Sequence, residues 1–265
     1  MKLKITHTTS YSYDAPVTYG LQQVRLTPTT NKSQTVLDWN VEISGGAKEL
    51  SFQDQHQNQT LLVQAEPGAT EVSVQVSGMV ETHSSDGIFG KVYGGAPLWH
   101  FTQSTSRTTA GKGIRNLARK IRKDVDPLSD LHDLSKAILM AVPYSEADTV
   151  AGTSAEEALA AGGGVCQDHA QIFISAARSA GVPARYVSGY LMMNDRIEQE
   201  ASHAWAEAHI DGLGWVGFDV SNGISPDERY VRIATGLDSR DAAPITGVRL
   251  GASAESMIVS LQIQQ

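Results

Sequence analysis

Residues 162–173 read GGGVCQDHAQIF and contain Cys166, the single cysteine of the chain. A thiol is a useful nucleophile only as the thiolate, and the unpaired N–H groups and dipole of a helix N-terminus stabilise that anion. Three glycines followed by an apolar helical pattern put Cys166 at such a position. The glycines leave room for a substrate backbone, and the amides around the thiol, at Gly164, Val165 and Gln167, are candidate oxyanion donors or substrate contacts. The competing reading is a small buried cysteine behind glycines that merely end the preceding helix. A catalytic thiol also needs a histidine to take and return its proton, and a carboxylate to hold that histidine's tautomer. Among the eight histidines, His203 opens the strand-like run HAWAEAHI directly after a turn, where accessible groups tend to sit. Asp219 lies near the end of the next run, WVGFDVSN, so a hairpin would set imidazole beside carboxylate. His169, three residues after Cys166, and His209, on the strand parity of His203, are rivals. Glu207 shares that parity and could receive an amine.

The elements that must carry these residues follow from the periodicity. Up to about residue 82 the pattern has period two, in KLKITH, LQQVRLTP, VLDWNVEIS, TLLVQAE and TEVSVQVSGMVE, separated by turn-rich TPTTNKS, DQHQNQ and EPGA. This reads as a β-sandwich-like domain over 1–82. Residues 83–107, rich in Gly, Ser and Thr, read as a linker. From 108 the period becomes 3.6: GIRNLARKIRKDV and LSDLHDLSKAILMAV are two expected helices parted by Pro127. TSAEEALAAGG is a third, with Thr153 and Glu156 at capping-box spacing. A fourth runs from Cys166 to about Ala180, stopped by Gly181 and Pro183. ARYVSGYLMM, HAWAEAHI, WVGFDVS, YVRIATG and SMIVSLQIQ are expected strands. Residues 108–265 therefore read as one α+β catalytic core, with the C-terminal strands included.

In their order and setting, GGGVCQDHAQIFISAARSAGVPARYVSGYL, SHAWAEAHI and GWVGFDVSN resemble the transglutaminase-like superfamily. The first eighty residues and RIATGLDSRDAAPITGV resemble its bacterial members with a β-rich N-terminal region. The resemblance implies a papain-like α+β core, helices packed on an antiparallel sheet, with Cys166, His203 and Asp219 as a triad. It implies acyl transfer through a thioester on peptide, isopeptide or glutamine amide bonds. Hydrolysis by a peptidase or amidase is the favoured outcome; transamidation and a non-catalytic peptide-binding module are the alternatives. The animal enzymes use an upstream tryptophan as an oxyanion donor, and no tryptophan lies between Trp99 and Cys166. Tyr144 is the candidate substitute. No dense acidic spacing suggests calcium, so no metal and no cofactor are expected.

Bulk properties narrow the partners. The formal net charge of -8 repels polyanions, which argues against nucleic acid, and no run approaches a membrane span. The N-terminal residues lack the apolar core of a secretion signal, and one cysteine permits no internal disulfide. A cytoplasmic enzyme acting on a peptide or protein is the expectation.

Overall fold

The computed structural model describes residues 1–91, 95–122, 124–146, 149–251 and 254–265. Its strands β1 (Lys2–Tyr13), β2 (Tyr19–Thr27), β3 (Gln34–Ser44), β4 (Gly46–Gln53), β5 (Gln59–Ala65) and β6 (Glu71–Thr82) account for the period-two region. Then come β7 (Ile88–Gly90), a 3₁₀ turn (Leu98–Thr102), α1 (Lys112–Ala118), α2 (Pro127–Ala141), α3 (Ala155–Ala161) and α4 (Cys166–Ser179). The chain finishes with β8 (Ala184–Leu191), β9 (Glu198–Gln199), β10 (His203–Ile210), β11 (Gly214–Phe218), β12 (Tyr230–Gly236), β13 (Ile245–Leu250) and β14 (Glu255–Gln264).

Two sheets, ordered β3-β6-β1-β14-β9 and β13-β2-β5-β4, face each other across Val24, Leu26, Val63, Val74 and Val76. A third, β12-β8-β10-β11-β7, packs against the helices. Alternation along β10 turns Ala204, Ala206 and Ala208 into the core that holds Phe173 and Ile172 of α4. Small residues on the strand let the helix come close. The α+β class expected from the sequence is the class observed.

Three assignments differ. Of the C-terminal strands, β12 joins the helix-backed sheet as expected, but β14 pairs antiparallel with β1 from Lys4↔Gln264 to Tyr13↔Glu255 and β13 pairs with β2, although Leu261 and Ile263 of β14 share a core with Phe173 of α4. Without β14 one edge of β1 would be open, and Leu261 and Ile263 bury fully beneath the sheet. The expected linker is also built in. Gly90 pairs with Trp215, and Phe101 of the 3₁₀ turn meets the Trp215 ring edge-on at 5.0 Å. Residues 92–94 of that expected linker lie outside the described residues. Third, α1 stops at Ala118 instead of running to 125. The Arg122 amide donates to Asp130 Oδ2 at 2.7 Å and so leaves the helical pattern.

Capping also shifts by one residue. Ser154 and Glu157 form the reciprocal cap of α3, while Glu156 accepts from the amides of Gly111, Gly113 and Ile114 at the start of α1. Both pairs have the capping-box spacing. The next helix in space, absent from local sequence, decides between them.

Candidate active site

The N-terminus of α4 is set by Asp168. Val165, the N-cap residue, has no polar side chain, and Asp168 reaches back so that Oδ2 accepts from the Val165 amide at 3.0 Å and from Thr149 Oγ1 at 2.6 Å. A Cβ on Gly164 would fall 2.9 Å from that oxygen, so glycine is required there by Asp168 rather than by a substrate. Gly162 ends α3 in the left-handed region at φ 75°. An isolated parallel bridge then ties Gly164 to Tyr144.

This local bonding corrects the oxyanion assignment. The Gly164 amide donates to Pro143 O at 3.3 Å and the Val165 amide to Asp168, so neither is free to serve a substrate. Among the described residues, the amides of Cys166 and Gln167 donate to no acceptor, as expected for the first helical turn. The amide of Cys166 itself was missed from sequence, although its position at a helix start was the available signal.

Cys166 is half-buried and lines the same cleft as His203, close enough to act on the charge of that ring. The hairpin register pairs Ala206 with Phe218, which brings Asp219 diagonally across from His203. Nε2 of His203 and Oδ2 of Asp219 are 2.6 Å apart, leaving Nδ1 for the thiol. Asp219 is fully buried; it also accepts from Tyr230 Oη at 2.7 Å, Asn222 Nδ2 at 2.7 Å and the Asn222 amide at 3.2 Å. Burial alone would raise its pKa, yet the hydrogen bonds and charge of His203, with Tyr230 and Asn222, hold it below the usual carboxylate range. Burial likewise pulls His203 down, but its bonds and charge contacts with Asp219 and Cys166 win and lift it to about 10.

The rival histidines are occupied elsewhere. His169 Nε2 faces the Val142 carbonyl at 2.7 Å and so must carry the proton, while Nδ1 accepts from Ser221 Oγ at 2.7 Å. Burial lowers its pKa, consistent with a neutral ring that ties α4 to α2 and to the loop after β11. His209 lies edge-on to Trp215 with ring centroids 5.5 Å apart. Glu207 is not an open amine site: it is buried between Arg185 and Arg232.

A cleft of roughly 700 Å³ opens over the thiol, lined by Cys166, Val165, Gln167, His203, Tyr144 and Tyr186 among others. Tyr144 is 54% exposed, whereas Tyr186 is 4% exposed. Burial, and then the charges of Cys166 and Asp168, push the Tyr186 hydroxyl well above the ordinary tyrosine range, which keeps it a donor. Tyr186 and Tyr230 escaped the sequence reading, and Asn222 entered it only as the end of the motif GWVGFDVSN, with no role assigned. Tyr230 sits on β12, separated from β10 by β8, and nothing in its local sequence marks it as a partner of Asp219.

Two family models match this chain: the transglutaminase-like superfamily over residues 115–220, and the bacterial transglutaminase-like N-terminal region over 3–81. The chain belongs to the transglutaminase-like superfamily. An uncharacterized protein of Mycobacterium leprae is 29% identical to this transglutaminase-like chain over 99% of it and 98% of the relative. One of Mycobacterium tuberculosis is 36% identical over 48% of the chain and 44% of the relative. A solved structure from Cytophaga hutchinsonii, described as a candidate cysteine protease, superposes with a TM-score of 0.75 at 22% identity, covering 100% and 98% of the two chains. That likeness is one of fold. The matched core ends at residue 220, so Asn222 and Tyr230, which both bond Asp219, lie beyond it. Among the described residues no helix is long and apolar enough to cross a membrane.

Proposed function

We propose that this transglutaminase-like chain is a cysteine-dependent acyl-transfer enzyme acting on amide bonds of peptides or proteins, with hydrolysis as its main outcome. Membership of the superfamily supports a cysteine-dependent enzyme. The observation that carries the rest is the contact chain Cys166–His203–Asp219, drawn from α4, β10 and the end of β11. Groups this distant in sequence have no packing reason to line up as thiol, imidazole and carboxylate at the floor of one cleft.

In the first half-reaction Cys166 Sγ attacks the carbonyl carbon, the oxygen takes up the negative charge, and His203 gives its proton to the leaving amine as the C–N bond breaks. The product is a thioester on Cys166. In the second, water attacks the thioester, His203 takes its proton, and the thiolate leaves with the acid released. The amides of Cys166 and Gln167 serve the oxyanion. Tyr186 is the preferred side-chain donor over Tyr144, because a preorganised donor shielded from water outperforms a solvated one. Asp219 holds His203 in the tautomer that points Nδ1 at sulfur.

A second reading, transamidation, draws on the cleft's charges. Glu146, Glu198 and Glu200 line it against Arg196. An acceptor amine arrives as an ammonium ion, which such a surface attracts. A free thiol at the centre of the chemistry suits a reducing cytoplasm.

Incubating the protein with a peptide and isopeptide library, with and without a primary amine, and reading product masses tests both. A gain of water at the cleaved amide supports hydrolysis, and a mass equal to the added amine less ammonia supports transamidation. No product and no acyl-enzyme on any amide would refute the enzyme.

A further inference from the structure

A second cleft, of roughly 660 Å³, lies on the other face of the catalytic sheet, between that sheet and the loops after β2 and β4. Among the described residues it shares no lining residue with the cleft over Cys166. Its floor holds Arg185 on β8 and Arg232 on β12, and both bond Glu207 on β10, which does not itself line the cleft. Arg185 Nε donates to Glu207 Oε2 at 2.7 Å, and Arg232 Nη1 donates to Oε1. The three side chains are 9%, 12% and 4% exposed, so two cations and one anion are held almost out of water.

This arrangement is unbalanced by one positive charge. Burial lowers the pKa of Arg185 only to about 10, so it stays charged at neutral pH. The Trp215 face at 3.9 Å from Arg185 and the Phe89 face at 4.3 Å from Arg232 offset part of the cost. Aromatic faces accept no strong hydrogen bond, however. A guanidinium carries five N–H donors, and among the described residues each of these side chains uses one of its nitrogens, both on Glu207. A purely structural ion pair would need one arginine. The second, with its spare donors lining an open cleft, points to an anion that comes from outside.

We infer that this cleft binds a monocarboxylate, the C-terminal carboxylate of a short peptide, across the Arg185 and Arg232 guanidinium groups. One carboxylate brings the buried charge to zero, and its two oxygens match the planar fork of an arginine. Gln53 and Gln57 on the wall make no side-chain hydrogen bond among the described residues and offer amide groups to a peptide backbone. The volume suits a ligand of a few residues. The site stands independently of the chemistry assigned to Cys166.

Isothermal titration on the full chain, with Cys166 alkylated to block the other cleft, tests this. The probes are N-acetyl-Ala-Gly-Ala, the same peptide as its C-terminal amide, and inorganic phosphate. The free acid is expected to bind saturably and the amide about tenfold more weakly or not at all, the usual order for losing a charge-assisted bond. Arg232→Gln should weaken the acid by a similar factor. Ala96→Trp, which plugs the rim and leaves the buried charges intact, should do the same and keeps the test decisive if circular dichroism shows that Arg232→Gln is unfolded. Equal binding of acid and amide, binding of phosphate alone, no saturable binding up to ~10 mM, or acid binding unchanged in Ala96→Trp would each overturn the inference.

Discussion

Asp219 Oδ2 holds His203 Nε2 at 2.6 Å and at the same time accepts the Tyr230 hydroxyl at 2.7 Å, so one buried oxygen orients the imidazole and is itself oriented from β12, two places from the strand that carries His203. The arrangement gives Asp219→Asn a definite expectation. The asparagine amide can present its NH₂ to His203 and favour the wrong tautomer, a defect worth on the order of 10⁴ in kcat in the best-studied serine triad. Trace activity is expected. Because Asn222 and Tyr230 then share a poorer acceptor for the hydrogen bonds they donate, a destabilisation of about 1–3 kcal/mol accompanies it. Kinetics beside a thermal melt separates the two; full activity would remove Asp219 from the mechanism.

The raised pKa of His203, about 10, has a sign that can be measured. In the unfolded chain the ring titrates near 6.5, so between about pH 6.5 and 10 the folded protein holds a proton that the unfolded one has lost. The stability this group contributes is complete below about 6.5 and declines as pH rises through 10. The alkaline limb of kcat/KM is expected near the same value and should move down in Asp219→Asn. A limb that stays put in that variant would detach it from His203.

Cys166→Ser changes one atom on a half-buried side chain. The melt should stay within about 1 kcal/mol of the parent, as for a near-isosteric change, while turnover falls below detection because a hydroxyl is a poor match for this histidine. Activity equal to the parent would exclude a covalent thioester; unfolding would return Cys166 to a packing role.

Tyr230→Phe keeps the ring that packs on Trp205 and deletes one hydrogen bond to Asp219. A loss of about 1–2 kcal/mol, roughly tenfold in kcat, is expected with KM little changed, since Tyr230 acts through Asp219. A KM effect alone would place Tyr230 in substrate binding instead.

Removing residues 255–265 deletes β14, which lies between β1 and β9. The N-terminal sheet would then expose the β1 edge and lose Leu261 and Ile263 from its core. The shortened chain should aggregate or melt far below the parent. A stable, monomeric product with native circular dichroism would show that β14 is dispensable.

Much of the active end of the molecule was legible because it is local. The 3.6 period from Cys166 to Ser179, its stop at Gly181, and the strands opening at His203 and Gly214 follow from side-chain spacing and turn residues, and short connections leave little freedom in how such neighbours meet. What period and composition carry no record of is which edge a strand pairs with and which buried atom claims a donor. β14 reads as a strand anywhere, but it joins β1, some 250 residues earlier, because that edge lacks a partner. The same holds for single groups. The amides of Gly164 and Val165 are taken by Pro143 and Asp168, Glu207 is claimed by two arginines, and Tyr230 reaches Asp219 across β8. The sequence by itself determined most of the longer elements and the α+β class, and it singled out three groups as candidates for the chemistry. Only the tertiary structure decided the strand partners, the free amides and the second cleft, because each depends on burial satisfied by residues distant along the chain.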